Sequence, residues 1–426
     1  MAFSNFLAAC AAEPKVQLSH FICASEETIL EEYAVPPYRM DTLRLCYSMT
    51  KSFASLAVGI AWDQGLLKLD DRVGDILPDC MPPQGHPAWK IRVRDLLTMS
   101  GGVHETQYST LIREKDWVRA YLHQDLPHEP GTYYCYSTHG SHVLSAIVER
   151  VSGLSLEVFL NRYLFHPMGI FEAQWETAPE GRTAGGMGLS LYPVSLARIA
   201  QLLLNGGRYA GRQLISKAYL KQATGVQILK QDQPKEKIYG GNGYGFQFHI
   251  GKDGYYRMDG AFGQVCLVCP EKHRAFVALS SGSNTEKLLE LIYAHFLEEE
   301  ASVPVGRYRM EENPLGIQEI ALCAAEKGYV FSMRVDEDSW KIHFCPGKET
   351  QGRTRFIKDL QVHEQEYVCS AQQVGKVLTL RVHYIETPYI AVYCLEKCAV
   401  GIRLHFSVNV SFTLRDFSAD GIRTES

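Results

Sequence analysis

Residues 49–64 constrain the fold more than any other stretch. They read as one helix that is apolar on nearly every face, through Phe53, Leu56, Ala57, Ile60 and Ala61, with Gly65 where a helix stop belongs. A helix without a polar side must be buried all round, so other elements have to cover it. The chain is large enough to do so. Its 426 residues suggest two to three domains, and 46% hydrophobic with 21% charged residues is an ordinary globular balance.

The covering elements can be read from periodicity. Residues 16–35 read as two strands around the turn Ser25-Glu26-Glu27. From Asp70 to about Gly225 the pattern is mostly helical. Helices over Val143–Val151, Leu156–Leu164 and Leu196–Leu204 stop at Gly153, near Pro167 and at Asn205-Gly206-Gly207. After Gly240 the period changes to two, with short antiparallel strands over Tyr244–Ile250, Tyr255–Asp259, Gln264–Cys269 and Ala275–Ser281. Ser283 and Glu286 form a capping-box pattern that opens a helix from Thr285 to about Leu297. The fold class is therefore α/β in the α+β sense: an antiparallel sheet flanked by helices, with a helical subdomain inserted at about 70–225. An acidic run meets Pro304, which divides the chain into a domain at 1–300 and an all-β domain at 301–426.

Several function classes are disfavoured. Lys+Arg 43 against Asp+Glu 48 gives a net charge of −5 without long single-sign blocks, which argues against a nucleic-acid or anionic-membrane partner. No apolar run reaches the roughly 18 residues of a membrane span, and MAFSNFLAAC lacks the basic start of a signal peptide. Twelve scattered cysteines suit a reduced, cytoplasmic protein better than a disulfide scaffold. Cys266 and Cys269 make a C-x-x-C on an apolar strand, where alternation turns the thiols to opposite faces. His139 and His142 are three apart at a helix start, with no carboxylate at a helpful spacing, so no metal site is assigned.

Only one serine in the chain has lysine at the third following position: Ser48, in Ser48-Met49-Thr50-Lys51. The spacing returns the lysine to the serine's face, near free backbone N–H groups. Burial disfavours the ammonium, so Lys51 can accept the serine proton near neutral pH.

This stretch, with Asp63-Gln64-Gly65-Leu66-Leu67-Lys68-Leu69-Asp70-Asp71 after it, resembles the penicillin-recognising serine hydrolases. That family holds class C β-lactamases, DD-carboxypeptidases, D-aminopeptidases and esterases. Asp95–Gly102, Tyr136–Gly140, Val151-Ser152-Gly153, Pro167-Met168-Gly169, Gly185–Leu189 and Met258–Gln264 continue the likeness in order, over about residues 15–298. The all-β tail is similar to barrel-like accessory domains of some members.

The resemblance implies a serine hydrolase that cleaves an ester or amide through a Ser48 acyl-enzyme, with Lys51 and Tyr136 sharing the base and acid roles in either order. It needs no cofactor and acts on a small molecule or short peptide; oligomeric state is left open. The family's Tyr-x-Asn stands here as Tyr136-Ser137-Thr138, so Thr138, a substrate-binding residue by this likeness, can donate one hydrogen bond but lacks the amide's separate donor and acceptor. The third motif, usually Lys-Thr-Gly or His-x-Gly, reads Met258-Asp259-Gly260. Gly260 would let substrate lie close against the strand, and the Ala261 and Ser48 amides would form the oxyanion hole. Asp259 is expected either in a solvated turn or lining the pocket. In the second position it would repel a substrate carboxylate, so efficient β-lactamase or DD-carboxypeptidase activity is not expected. Two altered motifs keep open a weak or inactive ligand-binding protein on the same fold, or an interaction role carried by the β domain.

Overall fold

The computed structural model describes residues 2–231, 238–297, 303–358, 361–374, 376–398 and 401–424. Contacts divide the chain into two compact units, one of Ala9–Glu290 and one of Leu291–Ser426 together with the first eight residues.

The first unit is built on an eight-stranded antiparallel sheet. Its strands are β1 (Leu18–Ala24), β2 (Ile29–Ala34), β3 (Ile228–Leu229), β4 (Gly243–Tyr244), β5 (His249–Ile250), β6 (Tyr256–Gly260), β7 (Gln264–Cys269) and β8 (Arg274–Ser280), in the order β2-β1-β8-β7-β6-β5-β4-β3. β1 and β7 are buried throughout, whereas the edge strand β2 is mostly exposed. Central strands covered on both faces carry continuous apolar runs, and an edge keeps its charges outside.

Helix α1 (Thr50–Asp63) is buried from Thr50 to Ala61. Gly65, at φ +72°, takes the left-handed position after its end. It packs against α2 (Thr138–Ser152) and against a helix over Lys217–Ala223. A Cβ on Gly59 would stand 2.5 Å from the Tyr219 ring, so that close approach requires glycine. Helix α3 (Pro193–Leu204) lies on β1, β7 and β8.

Three local readings of the sequence are corrected. Tyr244–Ile250 is not one strand but the hairpin β4–β5. Its turn holds Gln247 at φ +63°, and the buried Gln247 amide donates to Leu96 O and Leu97 O and accepts from Ser141 Oγ. That polar network outweighs the strand pattern. Leu156–Leu164 begins as α-helix but passes into a π turn at Asn161–Phe165 and a 3-10 turn at His166–Met168, around Pro167. The capping box is absent. Asn284 caps α4 (Thr285–Ile292) by accepting from Lys287 N, and Glu286 instead accepts from Tyr239 N and Gly240 N.

In the second unit, ten strands between Gly306 and Thr424 form one antiparallel sheet. Its end strands, Asp338–Phe344 and Glu349–Lys358, meet across a seam bridged by Lys341 N donating to Thr354 Oγ1 and Thr350 Oγ1 donating to His343 O. The sheet is thus nearly closed into a barrel, filled by Phe331, Phe344, Phe356, Tyr384, Tyr393 and Phe406. No described helix is long and apolar enough to cross a membrane.

Candidate active site

Ser48 sits in a 3-10 turn, Tyr47–Met49, that runs into α1. Tyr47 before it is left-handed at φ +49°, a costly conformation for an aromatic residue. The Thr50 hydroxyl secures this turn, donating to Tyr47 O and accepting from Leu189 N.

Lys51 is 2% exposed. Its Nζ donates to Ser48 Oγ at 2.9 Å, Thr138 Oγ1 at 3.1 Å and Gly186 O at 2.6 Å. Burial pulls its pKa down to about 7.

Tyr136 lies just ahead of α2, which Ser137 caps by accepting from Gly140 N. This cap fixes Tyr136 and Thr138 on either side of it. The Tyr136 ring lies 4.9 Å from Lys51 Nζ. Burial raises the Tyr136 phenol, a hydrogen bond with Ser48 opposes that, and the Asp259 charge adds to it. Of the two candidate bases, the amine is the one able to lose its proton near neutrality.

Across from Ser48, β6 and β7 meet in a turn, Ala261–Gly263, closed by the pair Gly260 and Gln264. The Gln264 amide donates to Ala261 O and Phe262 O, and Ser280 Oγ donates to Phe262 O and Gly263 O. Phe262 is left-handed at φ +65° and packs edge-on to Tyr47 with ring centres 5.2 Å apart. Left-handed aromatic residues therefore flank both Ser48 and Ala261.

A cavity of about 470 Å³ joins these parts, lined by Ser48, Tyr136, Gly260 and Ala261 and, further out, Tyr134, Lys230, His249, Arg257, Asp259 and Glu286. Thr138, read as a substrate-side residue, instead contacts Lys51 and is absent from this lining. Gly260 lines the cavity, but its lack of a side chain answers to the protein: a Cβ there would lie 2.3 Å from Cys46 O.

Asp259 is not a solvated turn residue. It lies in β6, half-buried, and Arg257 Nε donates to both its oxygens at 2.9 Å. Burial pushes its carboxyl up, but the Arg257 guanidinium beside it, with Lys230, outweighs this and holds it below the usual range. The repulsion expected from a bare carboxylate is therefore largely cancelled. Arg257 shares a strand face with Asp259 by simple alternation, a signal the sequence contained. Met258 between them is buried in the core.

Lys230 and His249 had no local signal. Lys230 Nζ donates to Gly241 O and to His249 Nδ1, and burial lowers the imidazole to about 3, keeping it neutral. Among the described residues no group of three or more His, Cys, Asp or Glu could hold a metal ion. Cys266 and Cys269 are buried, and burial raises both thiols. His142 does meet a carboxylate, that of Glu180, from 38 residues along the chain.

Known proteins share the fold of the first unit. The Beta-lactamase family model matches residues 21–298. A lovastatin esterase of Penicillium rubens is 28% identical over 196 residues, which are 40% of this chain and 49% of the esterase. The chain thus spans about half the length of that curated relative. Among solved structures, a family VIII carboxylesterase aligns with TM-score 0.54 at 19% identity, over 69% of this chain and 98% of its own. An octameric penicillin-binding protein homologue of Pyrococcus abyssi aligns with TM-score 0.55 at 18% identity, over 95% of this chain and 99% of its own. With the family model covering the sheet, the helical insertion and the Ser48 site together, the chain belongs to the beta-lactamase family.

Proposed function

We propose that this protein is a serine hydrolase that cleaves an ester, or an amide, through an acyl-enzyme on Ser48. The observation that carries the reading is a buried Lys51 amine 2.9 Å from Ser48 Oγ with its pKa near 7. Neutral Lys51 takes the serine proton as Oγ attacks the carbonyl carbon. The Ser48 and Ala261 amides receive the oxyanion. Tyr136, held as the neutral phenol, hands a proton to the leaving group and is resupplied from Lys51. Water, deprotonated by the same pair, then releases the acid and restores Ser48.

A neutral ester is the favoured substrate over a β-lactam. Met258 stands where the family pattern carries a cation, and it faces the core. The twelve free cysteines support a reducing, cytoplasmic location.

A fluorophosphonate probe and a short-chain nitrophenyl ester test the proposal. Intact mass should show one adduct, absent in Ser48→Ala, with ester hydrolysis down at least about a thousandfold in that variant. Because neutral Lys51 is the active form, kcat/KM should rise with pH through about 7. An adduct on another serine, or no adduct, refutes the assignment; no adduct with retained ligand binding would favour the non-catalytic reading.

A further inference from the structure

We infer that Glu180 and His142 are positioning residues for Lys51, acting through the backbone of Gly185 and Gly186. The inference rests on the reading of Lys51 as the base for Ser48.

The contacts form a continuous chain. Glu180 Oε1 lies 2.6 Å from His142 Nε2, and Gly185 N donates to His142 Nδ1 at 3.3 Å. The carbonyl of the following residue, Gly186 O, accepts from Lys51 Nζ at 2.6 Å. A backbone N–H can donate only to a lone pair, so His142 carries its proton on Nε2 and gives it to Glu180. The second Glu180 oxygen accepts from Trp117 N. The histidine and carboxylate side chains are 1% and 11% exposed. A carboxylate buried this deeply against a neutral imidazole is a poor source of stability, so a role in fixing geometry accounts for it better.

The geometry needs fixing because two adjacent glycines carry the carbonyl. Neither has a side chain to anchor it, and glycine is the most mobile residue. Side chains would not fit: a Cβ on Gly186 would lie 2.3 Å from Thr138 O, and one on Gly185 would lie 2.8 Å from Ser145 Cβ. Hydrogen bonds from α2 do the anchoring instead. His142 holds Gly185, and Ser145 Oγ donates to Thr183 O. His142 stands one turn after Thr138, so one helix face presents both a direct partner of Lys51 and the clamp on its other partner.

Proton counting shows why the carbonyl position matters. A neutral amine has two N–H bonds and one lone pair. If Thr138 Oγ1 and Gly186 O take the two N–H bonds, the lone pair faces Ser48 Oγ, as a base requires. If Gly186 O swings away, an N–H turns toward Ser48 and the lone pair is misdirected. Looser packing also admits water to Lys51, whose low pKa comes from desolvation. The other groups around the amine are Tyr136, His139 and His249. Around His142 they are Glu180, Trp117 and His139.

Glu180→Gln is the test, because an amide offers one acceptor where His142 and Trp117 N each need one, yet it preserves volume. His142→Asn is the companion, since its Oδ1 can still accept from Gly185. In the full-length protein, kcat and KM for a nitrophenyl ester are measured over pH 5–9 beside thermal unfolding and pH-dependent probe labelling of Ser48. Glu180→Gln should lower kcat about tenfold with KM within twofold, and should move the acid limb up by about half a unit or more. His142→Asn should retain more of kcat than His142→Leu and a limb closer to wild type. Wild-type kcat and limb in Glu180→Gln overturn the inference, as does an unmoved limb with kcat lost only in step with stability. If Glu180→Gln fails to fold, His142→Asn against His142→Leu decides by the same two readouts: kcat and limb kept nearer wild type by Asn than by Leu support the clamp, and equal values in the two variants overturn it. Absence of a Ser48 adduct in the wild type sinks the parent reading, and this one with it.

Discussion

Lys51 shows how a single residue can be legible in type and spacing while its chemistry depends on packing. The S-x-x-K spacing located it, but only enclosure between α1, α2 and the Gly185–Gly186 turn removes its water. That enclosure weakens the fold in a pH-dependent way. Below pH about 7 both folded and unfolded chains bind the proton, so the cost of burying the ammonium is fully present. Between about 7 and the ordinary 10.5 only the unfolded chain binds it, so this contribution to stability rises with pH across that window. Lys51→Met should therefore abolish ester hydrolysis yet raise the melting temperature at pH 6, with the gain shrinking toward pH 10. Thermal scans at both pH values check this; a gain that grows with pH would contradict it. Asp259 teaches the complementary point. Its place on the pocket side of β6 was what the family likeness implied, but its partner Arg257, on the same face, decided what its charge does there.

At the level of elements, the β6–β7 hairpin and the turn before α1 form the two jaws of the site, and backbone contact sets their spacing. Gly260 is the point of contact. An added Cβ would meet Cys46 O at 2.3 Å on one side and Gln264 Cβ at 2.9 Å on the other, and neither neighbour is the free end of a flexible side chain. Gly260→Ala should therefore push the jaws apart, lowering kcat at least about a hundredfold through the oxyanion donors and costing roughly 1–3 kcal/mol of stability. Hydrolysis assays with denaturant melts test this; a fully active variant would mean the jaws have slack. Two of the three elements misread from sequence share a cause. Gln247, Asn284 and Glu286 each use a side chain to satisfy distant or adjacent backbone groups, and periodicity carries no information about such partners.

For the whole molecule, the two units have separate apolar cores. One runs from Ile22 to Leu279 in sequence, the other from Val303 to Ala419, and they share no residue. We expect two calorimetric transitions in the full-length protein. Phe356 is fully buried in the second core and stacks on Tyr384 with ring centres 4.1 Å apart. Phe356→Ala should cost about 3–5 kcal/mol there and lower one transition, with the other transition and ester kcat/KM unchanged. Both transitions moving together, or hydrolysis falling with the barrel, would show that the second unit supports the site.

The residue order alone determined what depends on local chemistry and repeat. The buried helix followed from its missing polar face, the sheet and the all-β tail from the change of period, and Ser48, Lys51 and Tyr136 from short motifs with a family likeness. Tertiary structure decided every pairing across long sequence separation. Gly186 reaches Lys51 from 135 residues away, Glu180 reaches His142 from 38, and Lys230 joins His249 across a turn of the sheet edge. Hydrogen bonds and charges act over a few ångströms of space, and a chain brings such partners together only by folding, so no pattern along the sequence records them.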